Sequence, residues 1–232
     1  MTRAPPSSGS RALFEAAVTL FDLDERGRMR GERPHLHVLR TPHDVACLCH
    51  ADLPDEAAAA VEAIARWPRG RPREWSREYA DYLRALLPAG APQELRAGAL
   101  FSFPASIAGG EAAVSITRGN AHLLGGGLEE WLPDVAEHRP MSAMVVDGRA
   151  VGLCASVAMS RAAHSAGVET LGAYRGRGLA AQAVAAWARS VRALGAAPLY
   201  ATTFDNLASQ NLARRLGLIP FAAEFSVKLR RG

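Results

Sequence analysis

Long apolar runs are missing from this sequence: no stretch approaches the roughly 18 residues that a bilayer crossing needs, so no membrane span is expected. No secretory signal is expected in the first residues either. Residues 1–10 are small and polar around Pro5-Pro6, and the apolar residues 13–21 are interrupted by Glu15 and run into Asp22-Leu23-Asp24-Glu25, unlike a continuous signal segment with a cleavage site. A cytoplasmic location is the expectation. Cysteine is scarce: Cys47, Cys49 and Cys154 imply no disulfide framework. Cys47 and Cys49 lie two apart in an alternating stretch and would share one strand face. His43 and His50 are near, but the spacing is not a tetrahedral zinc pattern, so packed thiols are expected and no metal site. Charge of one sign is also in short supply. The formal net charge is +4, most of it from arginine, too little to call for nucleic acid and equally suited to a polyanionic cofactor. Internal repeats are absent.

What is present is enough apolar material for a core. The chain has 232 residues, of which 49% are hydrophobic, so one large or two small domains fit. Residues 12–22 read as a short amphipathic helix. Residues 35–39 and 45–49 read as strands around the turn-like Thr41-Pro42-His43-Asp44, with His35 and His37 on one face and expected to meet solvent. An alanine-rich helix follows Pro54 and ends before Pro68; residues 68–73 form a basic loop. A second helix over 74–87 carries Trp75, Tyr79, Tyr82, Leu83 and Leu86 at helical spacing, an apolar face for a core or groove. Residues 95–103 suggest a strand and 104–111 a connection. The domain boundary is placed there, giving an α+β region at 1–105 and a second domain at 106–232.

The second region has a cleaner pattern. Residues 113–117 read as a strand, Asn120 as a cap for a helical segment to Leu124, and 128–137 as a helix with Trp131 and Val135 on one side. Residues 141–146 and 150–159 form a hairpin, because Asp147-Gly148 suits a type I′ turn. Strand 166–171, helix 178–194 closed by Gly195, strand 199–203, helix 207–216 and strand 222–229 complete an α/β pattern with a mixed sheet.

Strand 166–171 runs into Gly172-Ala173-Tyr174-Arg175-Gly176-Arg177-Gly178-Leu179-Ala180, a glycine-rich turn that opens a helix. Glycine lets the main chain approach a ligand closely. The N–H groups of the first helical turn converge there, and an anion is held by direct hydrogen bonds and the helix dipole. Arg175 and Arg177 add attraction for phosphate. A pyrophosphate seat at residues 175–180 follows, although a plain turn has the same composition. The stretch is not a P-loop, since no Gly-Lys-Ser/Thr follows, and the dinucleotide fingerprint is incomplete because Ala181 stands where its third glycine would be.

A second segment, Asp205-Asn206-Leu207-Ala208-Ser209-Gln210-Asn211-Leu212-Ala213-Arg214-Arg215-Leu216-Gly217, changes the reading. Arg175, Gly178 and Ala180, followed by Asn206, Ser209, Leu216 and Gly217 in that order and separation, resemble the two motifs of the GNAT superfamily of N-acetyltransferases. The hairpin at 141–159 lies where that family's central strands belong. The resemblance covers residues 106–232, is greatest to the FR47-like group, and does not extend to the amino-terminal region.

The resemblance implies a GNAT-type mixed, mostly antiparallel sheet flanked by helices, with acetyl-CoA as co-substrate. It implies two parallel strands that splay beneath the cofactor, so that pantetheine amides pair with free backbone groups. Val168, Thr170 and Leu171 then become pantetheine contacts, together with Glu169 in the same strand. Arg175, Gly176, Arg177, Gly178, Leu179 and Ala180 form the diphosphate seat. Asn206 meets the pantetheine arm, or simply caps its helix, and Ser209 lies near the phosphates. In the family a base, often acting through water, serves the amine, and a tyrosine serves the leaving thiolate. The tyrosine position falls on Ala213, which puts the acid in doubt; Tyr174 and Tyr200 are the nearest tyrosines in sequence. For the base, Glu169 is preferred over the nearby His164, with an exposed strand carboxylate as its plain alternative.

The leading expectation is transfer of acetyl to a small-molecule or peptide amine, with the amino-terminal region shaping the acceptor site and a homodimer compatible with the fold. Two other readings stay open. One is a CoA-binding domain without catalysis, used in sensing or assembly, which the alanine at 213 supports. The other is a nucleic-acid or ribosome partner, whose binding would collapse steeply with salt.

Overall fold

The computed structural model describes residues 8–66 and 75–230. The expected basic loop at 68–73 and the side chain of Trp75 lie outside the described residues. The chain forms two compact units, residues 1–100 with 220–232 and residues 101–219. The expected division at 105/106 thus moves a few residues, and the last strand, assigned by sequence to the second domain, lies in the first unit.

The first unit contains α1 (Ser8–Val18), β1 (Leu36–Arg40), β2 (Val45–Cys49), α2 (Asp55–Arg66), α3 (Trp75–Leu86), β3 (Pro92–Ser102) and, much later in the chain, β9 (Ile219–Leu229). Its strands run in the order β2-β1-β9-β3. β1 is flanked by antiparallel partners on both edges, Val38 facing Cys47 of β2 and Phe225 of β9. That double pairing corrects the expectation for the histidines. The His37 side chain is 12% exposed, its ring lies 4.6 Å from that of Phe21, and its Nε2 lies 3.9 Å from Glu224 Oε2. His35 Nδ1 accepts from Leu229 N at 3.1 Å. Both rings are parts of the packing, not solvent-facing groups.

α2 starts with Asp55 and Glu56 and ends with Arg66, charges that suit the helix dipole. Its buried Ala57, Ala58, Val61 and Ala65 meet Tyr82 and Leu86 of α3 and Phe225, Val227 and Leu229 of β9 in one apolar cluster. Tyr79 stacks on Phe225 at 4.2 Å. The buried Glu78 carboxylate accepts from Tyr82 Oη at 3.0 Å and is paired with Arg40, so a charge in this core is matched rather than bare. Cys47 and Cys49 are free thiols on β2, Cys49 buried.

The second unit holds β4 (Val114–Ser115), β5 (Met141–Val146), β6 (Arg149–Met159), β7 (Ala163–Thr170), α4 (Leu179–Ala193), β8 (Ala197–Thr203) and α5 (Leu207–Arg215). Its strand order is β8-β7-β6-β5-β4, antiparallel except for the β7–β8 pair. The β5–β6 turn has φ of 50° at Asp147 and 75° at Gly148, as a type I′ turn requires. α4 buries Ala183, Val184, Trp187, Ala188 and Val191, a stripe at helical spacing that packs on Val151 and Cys154 of β6 and Tyr200 of β8. The segment 103–110 is bound to the same helix: Arg192 donates to the carbonyls of Phe103 and Ala105, and Gln182 accepts from Gly110 N.

Two local expectations change. Thr117, not Asn120, is the N-cap of the short 3₁₀ segment Arg118–Leu124. Asn120 occupies the third position, where its Oδ1 accepts from Thr117 N at 2.7 Å, a capping box. The expected helix at 128–137 is two 3₁₀ turns, Glu129–Trp131 and Pro133–Val135. Pro133 has no N–H for the Glu129 carbonyl, and its ring crowds that carbonyl, so an α-helix cannot run through.

Candidate functional site

β7 pairs with β6 as far as Gly152↔Thr170, but with β8 at only three positions, the last being Ser165↔Leu199. Beyond Ser165 the parallel ladder stops, leaving one edge of residues 166–170 without a strand partner among the described residues. Backbone groups on such an edge need water or a ligand. A groove of about 720 Å³ opens there. It is lined by Val168, Glu169 and Thr170 of β7, Tyr200 and Ala201 of β8, the loop from Tyr174 into α4, and one side of α5.

The loop has the geometry its glycines suggest. Gly176 and Gly178 have φ of 77° and 79°, left-handed conformations that L side chains resist. Gly178 is the N-cap of α4 and, like any glycine, offers no side-chain cap. The first-turn N–H groups of a 15-residue helix therefore face the groove with the positive end of its dipole. Arg215 of α5 stands beside them: a Cβ built on Gly178 would lie 3.5 Å from its guanidinium. Arg175 also lines the groove, and its Nε donates to Thr170 O at 3.1 Å. The Tyr174 ring carries Arg177 at 5.1 Å and Arg149 at 5.8 Å, within cation–π range.

On α5, Asn206 is the N-cap, its Oδ1 accepting from Ser209 N at 3.0 Å; its amide nitrogen is not used in that bond. Ser209 Oγ and Tyr200 Oη share a hydrogen bond of 2.7 Å. Tyr200 is 3% exposed. Burial pushes its phenol pKa up, opposed by the Ser209 hydrogen bond. Ala213 is buried in the same apolar cluster as Tyr200.

The alternation of β7 sends Val168 and Glu169 to opposite faces. Val168 packs with the α4 cluster. Glu169 meets Trp131, whose Nε1 donates to Glu169 Oε2 at 2.6 Å. Glu130 also bonds Glu169, and that hydrogen bond raises the Glu130 carboxyl above its ordinary value. Gly167 makes the arrangement possible: a Cβ there would lie 2.2 Å from Val157 Cγ1 and 3.2 Å from Trp131 Cη2. His164 is not at the site. Its Nδ1 shares a 2.9 Å hydrogen bond with Ser156 Oγ, which also accepts from Trp187 Nε1 at 2.9 Å, and burial lowers its pKa. Five residues along a strand place it roughly 16 Å from Glu169.

Of the residues expected at the site, Glu169, Val168, Thr170, Arg175, Gly176, Gly178, Leu179, Ala180, Asn206 and Ser209 line the groove. Leu171 packs into the apolar clusters, and Arg177 lies over Tyr174; neither lines the groove. Sequence reading missed Arg215 and the pairing of Trp131 with Glu169. The arginine pair before Leu216 hinted at the first; only tertiary contact brings the second together.

Residues 142–223 match the family model described as GNAT acetyltransferase. Among solved structures, a GNAT-family protein from Novosphingobium aromaticivorans is similar, with a TM-score of 0.51 over 62% of this chain and 69% of its own at 16% identity. A GCN5-related N-acetyltransferase-like protein from Streptococcus suis gives a TM-score of 0.47 over 66% and 69% at 17% identity. A GNAT-family acetyltransferase from Colwellia psychrerythraea gives 0.45 over 98% and 99% at 10% identity. No curated protein matches the chain. The first of these structures supports the fold, and the stretch that matches the GNAT acetyltransferase model, residues 142–223, spans every element that lines the groove.

Proposed function

We propose that the chain transfers acetyl from acetyl-CoA to a primary amine by direct attack with both substrates bound. The observation that carries this is the groove between β7 and β8. It pairs an open strand edge with a helix N-terminus flanked by Arg175 and Arg215. An extended arm with two amide groups fits the first, and a diphosphate fits the second. In this reading residues 175–180 hold the diphosphate, the β7 edge at 168–170 and the Asn206 amide hold the pantetheine arm, and Glu169 serves the acceptor. The Glu169 carboxylate takes the proton that the amine sheds on attack, directly or through one water, while Trp131 fixes its orientation. The acceptor is a small-molecule or peptide amine.

Ala213 favours a second reading, a CoA-binding domain without turnover, because the buried methyl at that position can donate no proton. Two measurements separate the readings. Calorimetry with CoA should show binding, and its absence from folded protein removes both. Thiol release from acetyl-CoA should then be stimulated by an amine from a panel of spermidine, kanamycin, lysine and an alanyl peptide. Binding without stimulated release leaves the second reading standing.

A further inference from the structure

We propose that Tyr200 is the proton donor to the leaving sulfur and that Ser209 holds its hydroxyl in place. The inference rests on the transferase reading above. When the amine nitrogen bonds to the thioester carbonyl carbon and the C–S bond breaks, the electron pair goes to sulfur. That charge needs a hydrogen-bond donor or a proton. Two phenols line the groove. Tyr174 belongs to the loop before Gly176, among cations: Arg149 donates to its hydroxyl at 3.3 Å, and Arg149 and Arg177 cover its ring. That phenol sits with the anion seat. Tyr200 instead is the first residue of β8 beyond the last paired position, Leu199, at the closed end of the fork. An arm laid along the β7 edge from the anion seat ends there with its sulfur.

The surroundings of Tyr200 suit the task. It is almost wholly buried, and its hydroxyl has one protein partner in the described structure, Ser209 Oγ. Serine can donate and accept at once, so Ser209 can accept from the phenol at rest and return a proton to the phenolate from groove water. Burial keeps the phenol protonated at neutral pH. The balance closes: sulfur receives the Tyr200 proton, Glu169 receives the amine proton, and solvent restores both groups. The small Ala213 side chain in the same cluster leaves room for the phenol ring.

The test compares wild type, Tyr200→Phe, Ser209→Ala and the double variant. Each is measured for CoA binding by calorimetry and for thiol release from acetyl-CoA with hydroxylamine and with the amine panel. For Tyr200→Phe, kcat should fall roughly 10- to 100-fold. This is at or below the usual range for a lost acid–base group, because a thiolate is already a fair leaving group. CoA affinity should stay within about two-fold, and the solvent isotope effect on kcat should shrink, a change that loosened packing alone would not give. Ser209→Ala should lose several-fold, and nothing further in the Tyr200→Phe background. If Tyr200→Phe does not fold, the Ser209→Ala rate and isotope effect decide alone. An undiminished kcat, an unchanged isotope effect, or additive losses would overturn the assignment. Wild-type protein that binds CoA yet releases no thiol with any nucleophile, or that fails to bind CoA, removes the underlying transferase reading instead, and the assignment with it.

Discussion

Replacing Gly178 with alanine separates two effects that the groove combines. Gly178 holds φ at 79°, and an L residue there costs about 1–2 kcal/mol. Alanine recovers about 0.4–1 kcal/mol by restricting the unfolded chain, so the net loss is at most about 1.6 kcal/mol. For a chain of this size that lowers Tm by no more than about 6 °C. The new methyl meets nothing closer than the Arg215 guanidinium at 3.5 Å, an ordinary contact, so the empty groove should tolerate it. A diphosphate should not, because the methyl stands where phosphate oxygen must approach the amides. Losing one hydrogen bond to a charged group is worth about 1.5–3 kcal/mol, or roughly a 10- to 150-fold weaker Kd.

The control is at the other end of the same helix. Gly195 has φ of 80° and open space around its Cβ position, so Gly195→Ala carries the same backbone penalty away from the groove. Calorimetry with CoA and thermal melts of both variants give the answer. Similar falls in Tm, with CoA affinity weakened only in Gly178→Ala, is the expected pattern. If Gly178→Ala binds CoA within two-fold of wild type with the same enthalpy, no phosphate sits at this helix end and the assignment of residues 175–180 is wrong.

Arg215→Ala should weaken CoA binding and flatten its dependence on salt, read as Kd across a salt series; an unchanged slope would mean that Arg215 does not face the phosphates. Gly167→Ala should cost about 1–3 kcal/mol through overpacking against Val157 and displace Trp131 from Glu169, seen as altered tryptophan fluorescence with reduced turnover at retained CoA affinity. In the first unit, burial raises Glu224 to about 7 and lowers His37 to about 4. Folded protein therefore keeps a Glu224 proton that unfolded chain releases as pH rises from about 4.5 to 7, which lowers stability, and lacks a His37 proton that unfolded chain holds between about 4 and 6.5, which raises stability over that window. The slopes offset in wild type, so Glu224→Gln should grow more stable from about pH 4 to 6.5, by up to about 3 kcal/mol, and His37→Gln should lose stability from about pH 4.5 to 7. Urea midpoints that stay flat in both variants would contradict this.

Features set by local backbone geometry were readable in the sequence. Asp147-Gly148 needs positive φ at both positions, and the structure has it. The glycines at 176 and 178 open a helix as their spacing suggests, and the apolar stripe of α4 names its own buried face. The misreadings arise where one local rule hides another or where the answer lies far along the chain. Trp131 and Val135 have helical spacing, but Pro133 between them breaks the helix. His37 looks half-solvated until β9, some 190 residues later, closes over that edge of β1. Arg215 reads as a helix-end cation, and only the packing of α5 places it against Gly178.

β7 joins the two sides of the proposed reaction because it is paired along its full length on one edge only. Ala166 and Val168 pack against the cluster under α4, on the side proposed for the diphosphate. Gly167 and Glu169 face Trp131, on the side proposed for the acceptor. A strand paired on both edges would be a wall between these faces, since alternation forbids any one side chain from reaching both. Beyond Ser165 that wall gives way to the groove of about 720 Å³. The position of Tyr200 at the closed end of this groove, and of Glu169 on its far side, follows from where the ladder stops. In the proposed reaction, the length of the β7–β8 pairing therefore sets the chemistry more than any single side chain does.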